Sequence, residues 1–425
     1  MKDPAHAARE EERIAIPGSA FGSPGFRRYW GARLCTSLAI QMQAVAVGWQ
    51  VYDLTRQPLD LGFVGLVQFL PAVACALVTG HVADRYDRRR VFARCIIAEA
   101  LCALLLLALT AAGNTEVTPI LVVLFIFGVA RAFEFPAAVA LMPNLVPPPH
   151  FVKAAAWSSS AWQAATIVGP AVGGLLYAFG PRLVYTGCTL LLLGAAFCVL
   201  LIQVERTPME REEMTWASLV AGITFIRTHP VVLGAVSLDL FAVLLGGATA
   251  LLPIYARDIL HVGPQGLGLL RSAPALGALV TALVLARRPI TGYAGQTLLA
   301  TVGIFGLATI GFALSRTLWL SLGMLVILGA SDMVSVVIRR VLVLAATPDE
   351  MRGRVSAVES VFIVASNELG EFESGVTAAW FGTVPAVVLG GFGTLTVVVL
   401  WAWLFPQLRR VDTLEAAGKR ARTWS

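Results

Sequence analysis

Arg131 and Glu134 stand three residues apart inside a long apolar run, Phe127-Gly128-Val129-Ala130-Arg131-Ala132-Phe133-Glu134, with Pro136 just beyond. Ionised groups inside such a run are costly and normally face a cavity or a partner. Three apart on a helix, these two are neighbours on one face. A fixed cation keeps a nearby acid ionised, whereas an acid moved into dry surroundings tends to take up a proton. An acid that alternates between those settings can carry a proton. Arg131 and Glu134 are therefore candidates for proton coupling, and a static ion pair between them is the competing reading. Asp239, Asp332, Glu368 and Glu371 interrupt other apolar runs and are candidates for the same role. Arg339, Arg340 and Glu359 also fall inside such runs. Gln41, Gln43, Trp162 and Gln163 are further polar and aromatic groups within these runs.

The elements that must position these groups are membrane spans. Of the chain, 57% is hydrophobic and 14% charged, whereas soluble domains run near a quarter charged. A helix needs roughly 20 apolar residues to cross the hydrocarbon. About twelve stretches qualify, at roughly 28–52, 59–83, 89–112, 117–142, 152–178, 181–203, 230–254, 265–286, 293–314, 318–345, 355–380 and 384–405. Runs this long, with Gly and Pro scattered through them, read as helices rather than barrel strands. The expected fold is all-α, with twelve transmembrane helices in two six-helix bundles.

Basic residues gather in alternate loops. Arg27, Arg28, Arg85, Arg88, Arg89, Arg90, Arg94, Lys153, Arg206, Arg211, Arg227, Arg287, Arg288, Arg352, Arg354, Arg409 and Arg410 fall on one side, against Arg56, Arg182, Arg257 and Arg316 on the other. The positive-inside rule then puts both termini in the cytoplasm of a cell whose inner membrane the chain spans. The net charge of +6 follows from this asymmetry and gives no support to nucleic-acid binding. Trp30, Trp49, Trp380, Trp401 and Trp403 lie near the expected span ends and suit an aromatic belt.

Several function classes drop out. The three lysines (Lys2, Lys153, Lys419) sit in no phosphate-binding loop, which argues against ATP hydrolysis. No histidine lies mid-span and no Ser/His pairing suggests an enzyme. The six cysteines (Cys35, Cys75, Cys95, Cys102, Cys188, Cys198) fall inside spans with no metal-ligand spacing, so no metal or cofactor is expected.

The longest internal polar stretch, Glu205 to Thr215, lies near the middle of the chain. It divides an N-terminal tail (1–25) and bundle (26–204) from a linker (205–228), a second bundle (229–406) and a C-terminal tail (407–425). Trp216, Leu219, Val220, Ile223 and Ile226 follow it at helical spacing, as a helix on the membrane surface or an early start to the seventh span. Features recur 201 residues apart: Gly128 with Gly329, Pro147 with Pro348, Gly169 with Gly370, and Gly174 with Gly375. A parallel repeat related by an axis along the membrane normal gives this pattern. At the same offset Arg131 falls on Asp332, so a cation and an acid are expected at equivalent depth, attracting across the axis in one state.

Between the second and third apolar runs lies Gly80-His81-Val82-Ala83-Asp84-Arg85-Tyr86-Asp87-Arg88-Arg89-Arg90. It resembles the loop between the second and third helices of the major facilitator superfamily, except that Asp87 stands where that family usually has Gly. The resemblance implies secondary transport by alternating access, with Gly80, Asp84, Arg85, Arg88 and Arg89 closing the cytoplasmic side against the eleventh span near Arg354. The fourth-span segment around Arg131 resembles the family's intramembrane arginine motif. Ala165-Thr166-Ile167-Val168-Gly169-Pro170-Ala171-Val172-Gly173-Gly174 resembles the antiporter motif of its drug/proton exchangers, with Ala165 replacing the first Gly. Pro170 removes a backbone donor, and Gly169, Gly173 and Gly174 allow close packing. The segments 346–358 and 366–375, with Asp239 and Tyr255-Ala256-Arg257-Asp258-Ile259-Leu260, resemble the enterobactin-exporter-like subgroup. This implies a monomeric proton-coupled exporter of an amphipathic small molecule, a siderophore or a drug, with Gln41, Gln43, Trp162 and Gln163 as candidates to line its substrate cavity. An uptake transporter for a small organic solute and a non-transporting receptor of the same fold are the alternatives.

Overall fold

The computed structural model describes residues 20–75, 79, 86–203, 216–288, 290, 292–348 and 351–412. Within them lie twelve long helices: α1 (Pro24–Thr55), α2 (Pro58–Ala74), α3 (Arg88–Ala111), α4 (Thr118–Leu141), α5 (Phe151–Tyr177), α6 (Pro181–Leu200), α7 (Pro230–Leu245), α8 (Gly263–Arg287), α9 (Ala294–Leu314), α10 (Leu318–Ala346), α11 (Arg352–Phe381) and α12 (Thr383–Leu404). α7 continues through a 3-10 turn at Ala248–Leu251 and a π turn at Tyr255–Ile259. No strand occurs among the described residues. Among the described residues, eight helices are long and apolar enough to cross a membrane on length and composition alone. α1, α5 and α11 are outside that set because each carries polar groups along its length, and α2 has only 17 described residues.

Local chemistry sets the helix ends. Prolines open α1, α2, α6 and α7, where a missing N–H costs nothing. Asp87 caps α3, its carboxylate accepting from the N–H groups of Arg89 (3.0 Å) and Arg90 (3.3 Å). The departure from Gly at this position thus supplies a helix start, since a capping acid also meets the positive end of the dipole.

The two halves pack by the same scheme. α1 lies against α5 and α6, as α7 lies against α11 and α12; α2 meets α4 as α8 meets α10; α3 meets α4 and α6 as α9 meets α10 and α12. The residues spaced 201 apart occupy matching contacts. Gly128 of α4 lies on the backbone of Gln68 in α2, and Gly329 of α10 on that of Pro274 in α8. Gly169 of α5 lies on Gln41 of α1, and Gly370 of α11 on Val243 and Leu244 of α7. The Pro147 carbonyl accepts from His150 N–H (2.9 Å) and that of Pro348 from Met351 N–H (3.0 Å), so the same turn precedes α5 and α11. The halves meet where α2 packs on α11 and α5 on α8, an exchange the twofold requires.

Trp216–Thr228 forms a helix separate from α7, broken by extended backbone at His229 ahead of Pro230. It packs on the start of α11, with Gly222 on the backbone of Arg354 and Ile226 in a cluster with Val355 and Val358. The tryptophans divide. Trp380 and Trp403 project outward, as expected of a belt. Trp49 is buried, Trp30 donates to the Trp157 carbonyl (2.9 Å) and Trp401 to Ser237 Oγ (3.0 Å), so these three serve internal packing instead. All six cysteines are free.

Candidate functional site

The charged groups fall into three levels along the seam between the halves. The first is the end where α1 turns into α2 and α7 into α8. Arg257, held in the π turn, pairs with Asp53 of α1 and lies 5.4 Å over the Trp49 ring. Asp258 accepts a hydrogen bond from Tyr52 and faces Arg56 Nη1 at 3.5 Å, while Arg56 also lies 3.7 Å from Asp53. Beside this cluster the backbones of the halves touch: Gly174 with Pro264 and Gly268 on one flank, Gly375 with Gly62 on the other. Side chains at these glycines would hold the helices apart, so the small residues are what let this end close.

The second level is the middle of the seam. Glu368 of α11 lies within electrostatic range of Arg131 of α4 and Arg271 of α8. Glu371, one turn further along α11, packs on Gly65 of α2 and feels Arg271. Gln163 of α5 donates to the Ala275 carbonyl of α8 (3.1 Å), tying the halves rather than standing free in a cavity.

The third level lies inside the separate halves. Arg33 of α1 binds Glu134 of α4 at 2.8 Å, both almost fully buried. Arg339 of α10 binds Asp239 of α7, with Glu359 of α11 3.4 Å from its Nε. Arg33 and Asp239 stand in the same register from the prolines that open α1 and α7. The two halves therefore repeat one buried bond between equivalent helices with the charges exchanged.

Several sequence expectations need correction. Arg131 does not pair with Glu134: three-residue spacing makes them neighbours, but Arg33 offers Glu134 a direct bond from another helix. Arg131 makes no hydrogen bond or ion pair among the described residues. Nor does it meet Asp332, which has no such partner there either. Across the seam it acts electrostatically on Glu368. Arg88 donates to the Ala140 carbonyl (3.4 Å) and Arg89 to that of Ile202 (2.6 Å), bonds that tie the start of α3 to its own half. Arg354 Nη1 reaches Met351 Sδ (3.8 Å). Gly80, Asp84 and Arg85 lie outside the described residues. Gln41 sits under Gly169 at the α1–α5 contact, Gln43 is buried and Trp162 exposed, so these do not converge with Gln163 on one lining. Gly173 packs on Met42 of α1 and the Pro170 carbonyl on Gly268, so the Gly-Pro segment wedges α5 between α1 and α8.

Arg33, Glu99, Arg271 and Asp53 were not singled out from sequence. The signal that selected Arg131, an ionisable residue interrupting an apolar run, applies equally to Glu99 and Arg271.

The sequence pattern of the Major Facilitator Superfamily matches residues 29–370. The chain belongs to the major facilitator superfamily. Among members of this superfamily, it is 26% identical over 397 residues to enterobactin exporter EntS of Shigella boydii serotype 18, covering 91% of this chain and 93% of that one. The EntS protein of Citrobacter koseri is 26% identical over 396 residues, with the same coverage. Solved superfamily folds superpose along nearly the whole chain. The nucleoside transporter NupG gives a TM-score of 0.67 at 14% identity, covering 90% of this chain and 99% of that one. A bacterial homologue of the iron transporter ferroportin in an inward-facing state gives 0.68 at 16%, covering 91% and 98%. The protein is a multi-pass membrane transporter of small molecules.

Proposed function

We propose that this transporter is a proton-coupled exporter of an amphipathic small molecule, of the siderophore or drug class. The observation that carries this reading is the mid-seam set: Glu368 and Glu371 on one half, with Arg131, which makes no hydrogen bond or ion pair among the described residues, on the other. Acids and an uncommitted cation there can exchange partners as the halves move, which ties charge state to conformation. The kinship with enterobactin exporters favours outward transport, and the wedge at Gly169–Gly174 accords with an antiporter. Both termini are read as cytoplasmic. On that orientation the end sealed by Gly174, Gly268, Gly62 and Gly375 faces outward. Asp84 would seal the opposite side in the other state. The chain works as a monomer in this reading.

Deleting the gene is expected to sensitise cells to a panel of amphipathic drugs or to leave a secreted metabolite trapped inside, and reintroducing it should reverse the phenotype. Unchanged drug tolerance together with unchanged metabolite export would refute an exporter. Topology has its own test, in a background lacking the six cysteines. Cysteine at Thr115 should react with an impermeant thiol reagent in intact cells, and cysteine at Arg90 should react only after permeabilisation; reversed labelling would invert the orientation.

A further inference from the structure

Glu99 of α3 is fully buried, and neither carboxyl oxygen has a hydrogen-bond partner among the described residues. The charged groups around it come from its neighbours: Arg33 on α1, and Arg131 and Glu134 on α4. On its own helix it lies near Cys95 and Cys102. α6, which also packs on α3, carries Tyr185 and Cys188, both bonded to α1 through Gln50 Oε1 (2.6 Å) and the Ala39 carbonyl (3.4 Å). Arg33 is committed to Glu134. Arg131 is not committed, and it acts on Glu99 within its half and on Glu368 across the seam.

A carboxylate asks for several donors, whereas a carboxylic acid can be left with few bonds at less cost. No group among the described residues donates to the Glu99 carboxyl in this state, while the Arg131 guanidinium, which makes no hydrogen bond or ion pair among them, acts on it electrostatically. We infer that Glu99 is a proton-binding site, and that Arg131 alternates between Glu99 and the seam acid Glu368. When Arg131 turns to Glu99, the O–H bond of the acid breaks, the proton passes to water admitted as the halves part, and a carboxylate–guanidinium pair forms. When Glu368 draws Arg131 back, Glu99 recovers a proton from water. This makes a group on α3, behind the seam, part of the coupling apparatus. The inference rests on the proton-coupled reading above, and proton binding can be measured without any transported substrate.

The test is infrared difference spectroscopy of the full chain in lipid nanodiscs, stepped from acid to alkaline buffer. Wild type should show the carbonyl stretch of a protonated carboxyl in apolar surroundings, lost as pH rises. Glu99→Gln should remove one carboxyl from that band. Glu99→Asp should displace it, and serves in place of Glu99→Gln should the latter not assemble. Arg131→Gln should move the pH at which the Glu99 band disappears by about one unit or more. Superimposable spectra for wild type and both Glu99 variants would overturn the site, and a band unmoved by Arg131→Gln would overturn the relay. A failed drug or metabolite test would refute export while leaving these spectra to stand.

Discussion

Arg339→Leu is expected to cost about 3–5 kcal/mol of stability, because it strands two carboxylates, those of Asp239 and Glu359, without their cation. The guanidinium holds α7, α10 and α11 together, so the loss should appear as a much lower melting temperature in detergent and a poor membrane yield. Lysine at this position should recover only part of the loss, because a point charge lacks the fork that serves two acids in different directions. Asp239→Asn added to Arg339→Gln should recover more, since most of the penalty comes from the acid left behind. Arg339→Leu melting within a degree or two of wild type would show that water reaches these acids and that the bond does not hold the half together.

The second large effect is expected at the sealed end. A side chain at Gly375 would place its Cβ 2.8 Å from Cα and 2.9 Å from N of Gly62, backbone atoms that no rotamer change can move. Gly375→Val should therefore raise the closed end by about 1–3 kcal/mol, which changes the ratio of the two conformers by about fivefold to a hundredfold. Pulsed electron–electron distances between labels at Gln57 and His261, on the two turns of that end, should gain a longer component. Gly375→Ala should give the same change in smaller measure. An unaltered distance distribution in Gly375→Val would mean that the seam is not the determinant of closure. The Asp53–Arg257 and Arg56–Asp258 pairs beside it are partly exposed and should matter less, as solvent-screened pairs do.

The spans were legible because lipid demands long apolar helices, and the duplication because glycine is irreplaceable where two backbones touch. Gly128 and Gly329, or Gly174 and Gly375, mark the same crossings in the two halves. The partners of the buried charges were much less legible. Sequence spacing reports neighbours on one helix, as with Arg131 and Glu134, but a desolvated acid takes the cation with the best direct geometry. For Glu134 that is Arg33, about a hundred residues away on another helix. The exchange of charge between the halves hid the second bond too, because a repeat search looks for like residues and finds a cation matched to an acid. Asp87, a mismatch to the family loop, became intelligible only as the cap of α3.

The linker helix Trp216–Thr228 has a consequence for how the protein can be divided. Among the described residues its main contacts run to α11 and α7, in the second half. A split gene should therefore be cut ahead of Trp216 and not at Pro230, although the latter opens the seventh span. Two polypeptides parted ahead of Trp216 would each keep its own packing and could be made separately and reunited in the membrane. Parted at Pro230, the second would lose the helix that covers the start of α11 and leave Val355 and Val358 uncovered. Sequence position makes that helix a tether between two bodies, but its contacts make it a component of one.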